Sequence, residues 1–495
     1  MAILTITQLK PARFAVLLAL GACTLGGGGL NGLVSNQDPV GPAQNDPARL
    51  AAIERLGMKL KKQKTAIQQN EANKKNTAVQ IANLRPEKQP DTARLITKST
   101  VGKPSDFVAK STVREVAIIP PIQPAGGKGG PLGRFHAKLA ALKAGARSKP
   151  ITILHIGDSH IASDSFSRGI RTALQAQYGD AGRGMVIPAK AFKYGVADQV
   201  KLSALGRWRG QTASKQKRGR YGISGVSVSS RSSRSSMTLQ SKNGRFDWAG
   251  VTVATGPSQG AFTMKVGKVS KRFDAYSKRK GSKQFHVTAK GRTLVVVPGG
   301  GAQTTLLNWS TGKNRPGIRY VNFGLIGATL NITKRFNTQL VANDVRRLDP
   351  DLIIYGYGTN EGFNDGLKLS SYRKRASRYV ARLKKNAPNA DVIYLGAASG
   401  LRRRGNGVCG GWSTPPKLGP LRTAVRKLAS SQGAAYWDWS RSMGGVCAVN
   451  KWAGQGLAAK DRVHLTSKGY RRSAAAFTKW LISPSASNVA VALNK

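Results

Sequence analysis

The sequence predicts an α/β protein: a three-layer α/β/α arrangement on a parallel sheet, interrupted by an inserted all-β domain. Three observations predict it. Apolar, β-branched runs alternate with amphipathic helical stretches on both sides of the chain's middle, the rhythm of a parallel sheet covered by helices. Between them, from 196 to 317, runs such as Val226-Ser-Val-Ser and Leu294-Val-Val-Val are spaced by Gly and Ser, with hardly any helical period. The chain has 495 residues, more than the ~250–300 at which a single core stops growing.

The elements follow in order. Lys10 and Arg13 precede a short apolar run ending at Ala22, the pattern of an export signal over residues 1–22. The run is too short to span a bilayer as a mature helix. Its end, Leu20-Gly21-Ala22-Cys23, resembles the lipobox of bacterial lipoproteins. That resemblance implies cleavage before Cys23 and lipidation of its thiol; an ordinary cleaved signal with an incidental Cys23 is the other reading. Residues 23–130 are rich in Gly, Pro, Gln, Ala and Lys and read as a flexible tether or spacer. The globular part opens with a first α/β portion at 131–195. It holds a helix over 135–144, a buried strand over 151–156, a helix over 165–178 and a short strand over 185–187. The β-rich insert at 196–317 reads as a small sandwich. A second α/β portion at 318–484 alternates strands at 320–326, 351–355, 391–395 and 434–437 with helices at 329–348, 370–385, 418–431 and 467–481. Residues 485–495 form a tail.

Charge bounds the partners. Lys and Arg number 80 against 22 Asp and Glu, a net +58. The insert alone carries 23 Lys or Arg against three Asp. Nucleic acid, an anionic membrane surface and an anionic wall polymer all fit such a balance, as does adaptation to an acidic or salty compartment. Export and the lack of any nucleic-acid-binding motif argue against nucleic acid. There are three Cys. With Cys23 lipidated, Cys409 and Cys447 remain, and an even remainder in an oxidising compartment suggests one disulfide. Two unpaired thiols are the alternative, and two lone Cys are too few for a zinc site.

Four segments carry chemistry. Gly157-Asp158-Ser159-His160 follows the first predicted strand, and active sites of open α/β sheets lie at the C-terminal ends of strands. Asp461-Arg462-Val463-His464 pairs a carboxylate with an imidazole three residues on, close enough for the acid to orient the ring. Among the five His, His160 and His464 are the plausible bases, and only His464 has an Asp at this spacing; His155 falls inside a strand. Tyr355-Gly356-Tyr357-Gly358-Thr359-Asn360-Glu361 follows another strand, and the Asn360 amide is a donor suited to a developing oxyanion. Gly327 follows the strand at 320–326 and leaves its N–H open to approach. Singly, each segment is equally a turn, a cap or a strand end.

In this order the four segments resemble the SGNH (GDSL-like) hydrolases. The resemblance implies a serine esterase with Ser159 as nucleophile, His464 as general base and Asp461 orienting it. It also implies an oxyanion hole of Ser159 N–H, Gly327 N–H and the Asn360 amide, with no metal or cofactor. Glu361 stands where many members carry Asp. A narrower resemblance rests on Gly157 to His160 with Asp164, then Leu174-Gln175 and Tyr178-Gly179-Asp180-Ala181-Gly182-Arg183-Gly184. These look like bacterial peptidoglycan O-acetylesterases, several of which carry a carbohydrate-binding-like β-domain at the place of the insert. The implied partner is an acetylated cell-wall polysaccharide, with a lipid anchor holding the enzyme at the envelope. An O-acetyltransferase using the same three residues, or a non-catalytic wall-binding lipoprotein, are the competing expectations.

Overall fold

The computed structural model describes residues 130–189, 197–403 and 407–483, all within the compact unit Val113–Lys495. The expected signal, Cys23, all but the last residue of the tether and the C-terminal tail lie outside the described residues.

The α/β portion is built on one five-stranded parallel sheet. Its spatial order is Ile318–Gly324, Ile151–Gly157, Leu352–Gly356, Asp391–Gly396 and Ala435–Asp438. The strand Ile151–Gly157 is buried along its whole length, which is why it reads as a near-continuous apolar run rather than an alternation. Its side chains still divide by parity. Ile151 and Ile153 pack with Phe135, Phe166, Ile170, Leu174 and Phe477 of the helices Gly133–Lys143, Ser165–Tyr178 and Ser467–Ile482. Leu154 and Ile156 join the opposite core, which takes in Val341, Val380 and Val425 of the helices Thr338–Leu348, Leu369–Lys385 and Leu418–Ser431. These two cores make the three layers.

The insert forms two antiparallel sheets, one of six strands and one of five. The strand Gly184–Val186, expected within the first α/β portion, pairs instead with Thr304–Gly312 of the insert. Three residues with no partner in the parallel sheet find free backbone groups there. The insert shares a core with the α/β portion: Val226, Val251 and Trp309 belong to the same apolar cluster as Leu154 and Val341.

The single helix expected over 329–348 is divided. A 3-10 turn, Leu330–Arg335, precedes the helix Thr338–Leu348. Asn337 makes the break. Its side chain takes the Leu340 N–H as an N-cap, and its own N–H goes to the Tyr221 carbonyl of the insert. The same helix is fastened to the insert twice more, by Ile223 N–H to Asp344 Oδ2 at 3.0 Å and by Arg347 Nη2 to the Ser282 carbonyl at 2.6 Å. Gly222 permits the first contact, since a Cβ there would lie 2.1 Å from Asp344 Oδ2. Burial pushes the Asp344 carboxyl up to about 6. Two short helices, Trp439–Met443 and Ala448–Gly454, have no counterpart in the sequence reading. Cys409 and Cys447 form a disulfide beside them.

Candidate active site

The strand Ile151–Gly157 comes first in the chain but lies between two later strands, Ile318–Gly324 and Leu352–Gly356. The chain therefore reverses its direction of sheet growth beside it, and such a switch point opens a crevice at the strands' C-terminal ends. All three strands end in Gly at one level, Gly157 opposite both Gly324 and Gly356. The turn carrying Ser159 packs down onto them. A Cβ at Gly324 would lie 2.2 Å from the Ala162 nitrogen, and one at Gly157 2.7 Å from the Gly356 carbonyl oxygen.

Ser159 opens the short helix Ser159–Ala162, capped by Asp158, whose carboxylate accepts the His160 N–H at 3.1 Å. Burial pushes Asp158 up to about 6, against the pull of that N–H and of Thr359. Ser159 Oγ lies 2.8 Å from His464 Nε2, and His464 Nδ1 lies 2.7 Å from Asp461 Oδ2. Asp461 Oδ1 accepts the N–H groups of Val463 and His464 at 2.9 and 3.0 Å. Burial alone would raise its pKa, but the His464 side chain and the two backbone donors outweigh it, and the carboxyl lies below its ordinary value. The pair stays open to solvent, the His464 and Asp461 side chains being 42% and 49% exposed. Residues 305 positions apart in sequence thus meet in one hydrogen-bonded row.

His160 takes a different place. It is buried, with Nδ1 2.9 Å from the Tyr470 hydroxyl and its ring 5.4 Å from that of His464. Burial, and secondarily the charge of His464, push it down to about 3. His155 is likewise buried and pushed down to about 3, with Nδ1 2.7 Å from the Tyr320 hydroxyl.

Gly327 and Asn360 stand on the two flanking loops. Gly327 adopts a φ of +67°, where a glycine is unstrained. Its turn closes through Ala328 N–H to the Leu325 carbonyl, and the Gly327 N–H itself is not spent in that turn. Asn360 Nδ2 donates to the Ala328 carbonyl at 2.9 Å, so one amide hydrogen fixes the side chain beside Gly327 and the other is left over. Glu361 joins the same loops from beneath, accepting the Leu330 N–H. Burial pushes its carboxyl up to about 7.

Sequence reasoning missed what holds the row in place. Arg462 lies at a φ of +57°. Its Nε donates to Asn450 Oδ1 at 2.7 Å, and Asn450 Nδ2 donates to the Cys409 carbonyl at 2.9 Å. The Arg462 carbonyl accepts the Leu401 N–H at 2.9 Å. The loop of Asp461 and His464 is thereby tied to the disulfide region. Behind Ser159, Asp164 receives Arg171 on both oxygens at 3.1 and 3.0 Å and the Asp198 N–H at 2.7 Å. Arg183 reaches Asn322 Oδ1 at 2.8 Å, and Asn322 Nδ2 meets the Ile161 carbonyl. Asp164 and Arg183 stood out in the sequence only through the narrower resemblance, because no period or spacing links them.

Fold and site together define an SGNH-type esterase. Residues 297–472 match the model of the GDSL-like Lipase/Acylhydrolase family. The matched stretch begins within the insert and takes in Gly327, Asn360, Asp461 and His464. A solved peptidoglycan O-acetylesterase is similar to this chain at 27% identity, covering 70% of this chain and 94% of that one with a TM-score of 0.63. An acetyl xylan esterase matches at 18% identity over 33% of this chain and 80% of its own, TM-score 0.26. A family two carbohydrate esterase from Cellvibrio japonicus matches at 11% over 59% and 99%, TM-score 0.24. No curated protein sequence matches the chain.

Proposed function

We propose that the chain hydrolyses O-acetyl esters on a cell-wall polysaccharide, peptidoglycan in particular, through an acyl-enzyme on Ser159. The observation that carries this is the unbroken row from Ser159 Oγ through the His464 ring to Asp461 at 2.8 and 2.7 Å. His464 takes the Ser159 proton as Oγ attacks the acetyl carbonyl. The carbonyl oxygen becomes an oxyanion and collects the N–H groups of Ser159 and Gly327 and the remaining amide hydrogen of Asn360. Collapse breaks the ester bond, and His464 gives its proton to the departing sugar oxygen. Water, deprotonated by His464, then attacks the acetyl-serine, releasing acetate and restoring Ser159. Asp461, kept ionised by its three hydrogen bonds, steadies the imidazolium in both halves. The acetyl group and the wall polymer are taken from the peptidoglycan O-acetylesterase that resembles the chain over most of both lengths.

The test is acetate release from O-acetylated peptidoglycan. Wild type releases acetate, and Ser159→Ala lowers the rate by roughly 10³-fold or more. An alanine variant as active as wild type ends the acyl-enzyme reading. Acetate appearing on an added sugar acceptor rather than in solution would reassign the same residues to acyl transfer.

A further inference from the structure

A second cavity, sharing no residue with the site of Ser159, lies where the inserted sheet meets the start of the helix Thr338–Leu348. Its volume is about 340 Å³, within the range of small-ligand pockets. Strand residues Gln211, Ser227 and Thr305 form one wall, and Asn337, Gln339 and Leu340 the other. Two cations, Arg220 and Lys280, line it, and no carboxylate does.

The lining is otherwise polar, with the side chains of Gln211, Ser229, Ser258, Gln303 and Gln339 bordering the cavity. The wall is also fixed in advance. Arg220 Nη2 donates to the carbonyls of Thr255 and Gly281, both at 2.7 Å, which sets the guanidinium plane. The helix side is fastened to the insert by Asn337, Asp344 and Arg347, as described above.

We infer that this pocket binds a saccharide bearing a carboxylate. The acid meets Arg220 and Lys280, and sugar hydroxyls meet the polar side chains of Gln211, Ser229, Gln303 and Gln339 that line the cavity. Leu340 is the pocket's one large apolar side chain, which suits a sugar and not an acyl chain. The choice of a wall saccharide rests on the proposed function, while the preference for an anionic, hydroxyl-rich ligand rests on the pocket alone. The pocket would hold one unit of the polymer away from the scissile ester.

The experiment is calorimetric titration of the full chain with the disaccharide of N-acetylglucosamine and N-acetylmuramic acid, and with its methyl ester. Neither carries an O-acetyl ester, and the titrations are repeated with Ser159→Ala so that the methyl ester is not turned over either. The free acid binds, and the methyl ester binds at least tenfold more weakly. Arg220→Gln and Lys280→Met each weaken the acid at least tenfold, while p-nitrophenyl acetate hydrolysis stays within twofold of wild type. Lys280 is exposed, so its variant keeps the test open if Arg220→Gln fails to fold. Lys427→Met, far along the chain on the helix Leu418–Ser431, binds as wild type. Equal binding of acid and ester, equal loss in Lys427→Met, or no binding at millimolar concentration overturns the inference. A chain that binds the acid but leaves p-nitrophenyl acetate intact fails as an esterase and keeps the pocket.

Discussion

At the scale of the residue, Asp461 carries three duties with two oxygens. Oδ1 accepts two backbone N–H groups and so shapes its own loop, while Oδ2 faces His464 Nδ1. An Asn in its place keeps one acceptor for the backbone but can turn an NH₂ toward Nδ1. The ring then favours the tautomer with its proton on Nε2, facing Ser159, where a base needs a lone pair. Asp461→Asn is expected to lower kcat/KM for p-nitrophenyl acetate by roughly 10²–10⁴-fold. Its thermal midpoint should move little, since exposed ion pairs contribute only ~0–1 kcal/mol. A variant within a factor of three of wild type would show that Asp461 shapes the loop without assisting His464. The sequence made this pair legible, because three residues on one loop fix their own proximity. It left His160 as a rival base. Only packing removes that rival, by burying it against Tyr470 and Trp439.

At the scale of the element, Glu361 shows how the loops of Gly327 and Asn360 are joined. Its carboxyl accepts the Leu330 N–H of the 3-10 turn, and its neighbour Asn360 holds the Ala328 carbonyl. One loop thus grips the other through adjacent side chains. Burial raises the Glu361 pKa from 4.5 to about 7, so the folded protein holds a proton that the unfolded chain releases. Its contribution to stability is complete below pH 4.5 and is lost as pH rises through about 7. Glu361→Gln keeps an acceptor for Leu330 and cannot ionise. Chemical denaturation should find the variant gaining on wild type steadily from pH 4.5 to 7, with no such trend below 4.5. A difference that stays flat over that interval would mean Glu361 is already ionised in the fold. The sequence marked Glu361 as a departure from the Asp of many SGNH hydrolases, and expected its effect on the loop rather than the chemistry. Its partner was out of reach, because Leu330 lies 31 residues earlier on an element read as helix. The outer helices were legible nearly to the residue, since periodicity and caps are local signals. The helix at 418–431 has its read bounds, whereas the break at Asn337 depends on Tyr221 across the domain junction.

At the scale of the whole molecule, the topology explains why the serine turn and the histidine loop are so far apart in sequence. An insert of two sheets leaves the first parallel strand and returns beside it, sharing a core with the domain it interrupts. That sharing was not legible, because alternating burial in the insert looks the same whether its outer face meets water or a neighbouring domain. The charge was legible and its consequence can be separated from the proposed lipid anchor. Basic side chains spread over the surface, including a groove of about 840 Å³ lined by Arg373, Lys374, Arg378 and Lys427, and net +58 leaves few acidic partners to neutralise them. Attraction between exposed charges is screened over ~10 Å at 0.1 M salt and ~3 Å at 1 M, whereas burial of an acyl chain is not weakened by salt. Adsorption of the Cys23→Ala chain to isolated peptidoglycan should therefore fall at least tenfold as salt rises from about 0.1 to 1 M. Membrane-bound full-length protein, if anchored through Cys23, should stay in the pellet at the higher concentration, and Cys23→Ala should move to the supernatant. Adsorption insensitive to salt would assign the wall to neutral-sugar contacts, and a Cys23→Ala variant that remains with membranes at 1 M salt would remove the anchor.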